Sequence, residues 1–173
     1  MHAPGSSTNS SGSALQEVRV GAPITCQTRT MPGFHHVELW IANLAEARTD
    51  WGWLLQQLGF VLDSEWPDGQ SWSAGDAYLT FTLSPNLSDP VHDRRRAGLN
   101  HLAFRGGSRT EVDAIMESAS DHGWAQLYSE RYPHAGGAQH YAGWLENAAG
   151  FKVEIVADHE AADDADALPS QAP

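Results

Sequence analysis

Positive charge is scarce in this chain: ten lysines and arginines stand against 22 aspartates and glutamates, a formal net charge of −12. A nucleic-acid binder neutralises phosphates with a basic stripe. Here only the run Asp93–Arg96 (DRRR) gathers cations, and so short a run reads as a solvated loop. The balance therefore speaks against polyanionic partners and suits metal cations and neutral or cationic small molecules better. Cysteine is nearly absent. Cys26 is the single one, which excludes an intrachain disulfide and fits a reducing, cytoplasmic compartment. No apolar run approaches the roughly 20 residues of a membrane-spanning helix, and the N-terminus carries no apolar core of a secretory signal.

What is present is ordinary in amount and unusual in kind. Aliphatic, aromatic and cysteine residues make up 41% of the 173 residues, but seven of them are tryptophans, large surfaces that need a core, a pocket or an interface. Residues 1–32 are rich in Ser, Gly, Thr and Pro and are expected to be a flexible segment; residues 158–173 form an acidic, solvated tail. The folded body is expected over 33–157, with one module at 33–86 and a second at 98–157.

Inside the body a pattern occurs twice. Phe34–Ile41 (FHHVELWI) reads as a strand. Leu44, Ala47, Trp51, Leu54, Leu55 and Leu58 follow at helical spacing, with Asn43 and Glu46 as a capping pair and Gly59 at the stop. Three short strands come next, FVLDSEW, QSWSAG and AYLTFTLS, separated by turn signals. The second round opens with Asn100–Arg105 (NHLAFR). It continues through a capping box at Ser108 and Glu111, an apolar stripe of Val112, Ile115, Met116 and Ala119, and Gly123, then AQLYSE, QHYAGWL and FKVEIVA. Superimposing His36 on His101 aligns both caps, both glutamates, both terminating glycines and the aromatic after each. The chain is an internal duplication of a βαβββ unit, an α+β protein of two tandem modules.

Side chains alternate across a strand. His36, Glu38 and Trp40 therefore share one face, as do His101, Ala103 and Arg105; in the last strand Lys152 and Glu154 lie opposite Phe151, Val153 and Ile155. A pseudo-twofold packing of the modules would set His36 and His101 facing each other. Glu154, between Val153 and Ile155, is costly if buried unpaired. A divalent metal satisfies all three, and two imidazoles with one carboxylate are a common set for Zn, Ni, Mn, Co or Fe. A one-residue register slip would exchange His35 for His36.

The stretches HHVELWIANLAEA, GLNHLAF and NAAGFKVEIV together resemble the vicinal-oxygen-chelate superfamily, which includes glyoxalase I, fosfomycin-resistance enzymes, extradiol dioxygenases, methylmalonyl-CoA epimerase and bleomycin-resistance proteins. The resemblance implies modules that form a curved mixed β-sheet around a central cleft. It also implies one divalent metal ion held by His36, His101 and Glu154, a small oxygen-chelating substrate, and a homodimer. The place of a fourth acidic ligand in some members falls on Thr82, so the glyoxalase I set is incomplete. The place of a tyrosine common in dioxygenases falls on Trp144. Lyase or isomerase chemistry is thereby favoured over oxygen chemistry. Such chemistry needs a base, and two candidates stand: Glu38, on the His36 face, and His140, fourteen residues before Glu154. Trp40, Thr82, Arg105 and Trp144 are expected to line the pocket, and the glycine-rich His134–Gln139 to form a loop over it. Lys152 and Arg105 are too few for a phosphonate-binding cluster. The competing expectation is a metal-free protein that binds a small molecule or drug, as bleomycin-resistance members do; acidic charge and many tryptophans suit a cationic aromatic ligand.

Overall fold

A computed structural model of the chain describes residues 33–158. The N-terminal segment 1–32, with Cys26, and the tail from 159 lie outside the described residues.

The first module runs β1 (His36–Ile41), α1 (Leu44–Gln57), β2 (Val61–Trp66), β3 (Gly69–Ala74) and β4 (Ala77–Leu83). The second runs β5 (Leu102–Arg105), α2 (Arg109–Ser118), β6 (Trp124–Leu127), β7 (Ala142–Asn147) and β8 (Lys152–Val156). The strand orders are β1-β4-β3-β2 and β5-β8-β7-β6. In each, the first strand pairs parallel with the last and the other pairings are antiparallel. The duplication in the sequence is thus a duplication of topology. The curved mixed sheet is present as two separate four-stranded halves: β1 bonds to β4 and β5 to β8, and neither bonds to the other.

Local signals explain the element ends. The Asn43 side chain accepts from the N–H groups of Ala45 and Glu46, at 3.0 and 3.3 Å, and so caps α1. Ser108 and Glu111 close a reciprocal capping box on α2. Gly123, with φ of 83°, takes the left-handed turn that ends the second helical segment. The strand expected over AQLYSE stops at Leu127, because Tyr128 adopts φ of 58° and Ser129–Arg131 coil into a 3-10 turn. The next strand starts at Ala142, which leaves His140 and Tyr141 in the loop before it.

The modules join through their helix-bearing faces. Trp51 of α1 meets Phe81 of β4 and, across the module boundary, Trp124 and Phe151, with ring centroids 5.0 to 5.9 Å apart. Beside them the Trp124 indole donates to the Asp50 carbonyl (3.0 Å), and the Asn147 amide donates to the Asp50 carboxylate (2.8 Å). Burial pushes the Asp50 carboxyl above its ordinary pKa, against the opposing pull of the Trp51 N–H and the Asn147 amide. Val37, Leu39 and Ile41 of β1 pair with Leu79, Phe81 and Leu83 of β4 towards this core. The opposite faces of both sheets are left open.

The loop between β6 and β7 is pinned to α2 by Asp113, whose carboxylate accepts from the hydroxyls of Tyr132 and Tyr141. These two donors hold the Asp113 carboxyl below the usual carboxylate range. An acid with a depressed folded pKa stabilises fully above the unfolded value of about 3.9 and loses that contribution as pH falls through the folded value. Protection factors of the amides in residues 132–141 are therefore expected to fall on acidification below about pH 4, and Asp113→Asn should show the lower protection already at neutral pH. Equal exchange in both proteins at pH 6 would refute this role for Asp113.

Candidate functional site

The open face of the second sheet carries a polar cluster. Glu154 on β8 stands in register between Ala103 of β5 and Trp144 of β7. The small Ala103 leaves the carboxylate accessible from the β5 side, where His101 precedes the strand. Glu154 is only 7% exposed. His140 Nε2 lies 2.6 Å from its Oε1, and His101 Nε2 lies 3.4 Å from its Oε2. The His101 ring also rests edge-on against Trp144, centroids 4.9 Å apart.

The orientation of His101 is fixed from behind. Asn100 Nδ2 donates to the Arg94 carbonyl (3.3 Å), which turns Asn100 Oδ1 towards His101 Nδ1 at 3.0 Å. His101 Nδ1–H then donates to Asn100, and the lone pair of Nε2 points at the Glu154 carboxylate. Two acceptors facing at 3.4 Å call for a cation between them, a second proton on the imidazole or a metal ion. A nitrogen and a carboxylate oxygen with their outer atoms oriented in this way suit a divalent metal. Among the described residues, however, no three His, Cys, Asp or Glu side chains of one chain are grouped to enclose such an ion.

The remaining expected residues lie on the open face of the first sheet. His36 stacks on Tyr78, its register partner, with rings 4.8 Å apart and 7° from parallel. Its Nδ1 meets Nδ1 of His35 at 2.9 Å, so His35, which precedes the strand, keeps to the same ring cluster. Glu38 and Trp40 follow on that face opposite Thr80 and Thr82. Both also line a cavity of about 310 Å³ under the connecting segment Leu87–Ala97. Trp66 of β2 lies over Gly69, where a Cβ would stand 2.3 Å from the indole. The chain thus brings His101, His140, Glu154 and Trp144 together and leaves His36, Glu38, Trp40 and Thr82 in the other sheet. Arg105 does not enter the cluster: it extends into solvent and pairs with Asp158 at 3.2 Å.

Several site residues escape the sequence reading. Tyr128 flanks Lys152, and Arg94 pairs with Glu146 at 2.7 Å. Arg94 sits in DRRR, where one cation of three is recruited and composition cannot say which.

Comparison with known proteins agrees with this architecture. Residues 35–144 match the model of the glyoxalase/bleomycin resistance protein/dioxygenase superfamily. The Bacillus subtilis (strain 168) protein YqjT, itself uncharacterised, is 40% identical over 124 residues, which is 71% of this chain and 97% of that one. A solved glyoxalase-like protein of Bacillus halodurans is also 40% identical, with a TM-score of 0.68 over 72% of this chain and 95% of its own. The lactoylglutathione lyase of Agrobacterium tumefaciens, 16% identical with a TM-score of 0.51 over 75% of this chain and 96% of its own, shares the fold alone. The chain belongs to the glyoxalase/bleomycin resistance protein/dioxygenase superfamily.

Proposed function

We propose that the protein is a divalent-metal-dependent enzyme of the lyase or isomerase type, acting on a small substrate with two adjacent oxygens. The observation that carries this reading is His101 Nε2, set 3.4 Å from the Glu154 carboxylate by the Asn100 relay. The third ligand in this reading is His36 of a second copy of the chain. The open face of the first sheet supports it: Trp40, Val61 and Trp66 are 36 to 66% exposed there, a large apolar area for a protein to leave in water.

A bound metal supplies Lewis acidity to the substrate oxygens. The chain's own groups then do the rest. Asn100 holds His101 in one tautomer. His140 donates Nε2–H to Glu154 Oε1, leaving Nδ1 as its basic nitrogen, placed to take a proton from a carbon next to the chelated oxygens and return it to a neighbouring one. Glu38 would arrive from the partner beside its His36 and is the second candidate base. Trp144 supplies an apolar wall.

The test is metal uptake by mixed variants. His36→Ala and His101→Ala are each expected to lose metal as homodimers. A heterodimer of the two has one site with both histidines and one with neither, so mixing them should restore one metal per heterodimer. Recovery of no metal would overturn the shared site, and full metal content in His101→Ala would overturn the ligand set. A wild-type protein that takes up no divalent metal would favour the metal-free binding reading.

A further inference from the structure

Lys152 is the one lysine on the open face of the second sheet. It lies on β8 two residues before Glu154, on the same face, and the residue is 8% exposed. Its Nζ sits 4.7 Å from the centre of the Trp144 ring and 6.0 Å from that of Tyr128. The buried part is the stem; the ammonium itself is not sealed from water, and the aromatic faces attract it there. Yet no carboxylate lies within 4 Å of it among the described residues. Its cross-strand neighbour is Glu146, but that carboxylate is bound by Arg94 at 2.7 Å. Glu154 is engaged by His140 and His101. The acids nearest to hand are thus already paired, and the ammonium is held between two rings without a counter-charge.

We infer that Lys152 receives a carboxylate of the substrate, which makes the substrate a small monocarboxylic acid. Arg94 is matched by Glu146, and Arg105 points out to Asp158, which leaves Lys152 as the one of these three cations without a carboxylate within 4 Å, a partner for a single carboxylate. A phosphonate or phosphate dianion would be left half-compensated. Spacing agrees: residues i and i+2 of a strand are about 6.6 Å apart, so a molecule of a few heavy atoms, a 2-oxo or 2-hydroxy acid, reaches from Lys152 to the Glu154 carboxylate region. Trp144, between the two, packs against its carbon skeleton. The inference rests on the metal-enzyme reading for the role of the second oxygen only; the contact between Lys152 and the carboxylate needs no metal.

The test uses the full-length chain, labelled with nitrogen-15 and freed of metal with EDTA, titrated with pyruvate at constant ionic strength. The Trp144 indole resonance, assigned with Trp144→Phe, is expected to shift saturably with pyruvate and not with the neutral pyruvamide. Lys152→Met, which keeps the buried apolar stem, should weaken binding about tenfold or more, and Lys152→Arg should stay within about threefold of wild type. Wild-type protein that shows no shift, Lys152→Met that binds as wild type does, or pyruvamide that binds equally well would each overturn the proposal. Methylphosphonate binding more tightly than pyruvate would overturn the monocarboxylate class. Metal content, measured separately on the same preparations, reports on the metal-enzyme reading, so either can fail while the other stands.

Discussion

Glu154→Gln is expected to weaken divalent-metal binding at least about 100-fold, roughly 2.8 kcal/mol, while the metal-free protein stays folded. Glutamine matches the shape of the side chain and keeps one carbonyl acceptor, so the packing against Ala103 and Trp144 survives. What it removes is the charge, and the charge gives the His101 lone pair a cation to share. A purely structural ion pair predicts a different pattern. If Glu154 served only to hold protonated His101 and His140, the substitution would lower stability and leave metal uptake as it was. Competition against a chromophoric chelator gives the first quantity, and thermal unfolding in EDTA gives the second. A variant with wild-type metal affinity would end the case for Glu154 as a ligand. The same pair of measurements on Asn100→Ala reads the relay: loss of the Nδ1 acceptor should cost about ten- to 100-fold in affinity, as for other outer partners of metal-binding histidines.

Much of this could be read from the sequence, for identifiable reasons. The caps at Asn43 and Ser108, the glycine at 123 and the apolar stripes are local signals, and local signals set the helices where they were expected. Comparing the two halves yields the repeated βαβββ unit, and in the structure each half has the same strand order. Where the two histidines meet is a different kind of question. The alternation of β1 says that His36, Glu38 and Trp40 share a face, and they do; it does not say whether that face closes on the second module of the same chain. Trp51 decides against this, since it fills the space between the modules with the opposite faces of both sheets. Two things escape for long-range reasons. Tyr128 turns left-handed and ends its strand early, and the loop after it is anchored through Tyr132 and Tyr141 to Asp113, far away in the sequence. Arg94 is one of three consecutive arginines, and only the fold tells which one meets Glu146.

Trp51 carries the second large effect, on stability. Its side chain is 1% exposed and packs on Phe81 from its own module and on Trp124 and Phe151 from the other. Truncating a buried aromatic of this size to alanine costs about 3–5 kcal/mol, a large share of the roughly 5–15 kcal/mol that holds a domain folded. The loss should be one of packing alone, because the Trp51 indole nitrogen is buried without a hydrogen-bond partner. That gives the prediction a second edge. Trp51→Phe retains a ring against the three aromatic neighbours and deletes the unsatisfied donor, so it should cost less than half of what Trp51→Ala does. Both variants should unfold in a single urea transition with an unchanged slope, since a shared core couples the modules through Trp51 and through Asp50, which binds Trp124 and Asn147 beside it. Urea unfolding followed by both far-ultraviolet circular dichroism and tryptophan emission measures this. Two separated transitions, or a loss for Trp51→Ala below about 1 kcal/mol, would mean that each module has its own core. The separate sheets would then be separate folding units, and nothing within one chain would hold the two open faces in a fixed relation for a partner to bridge.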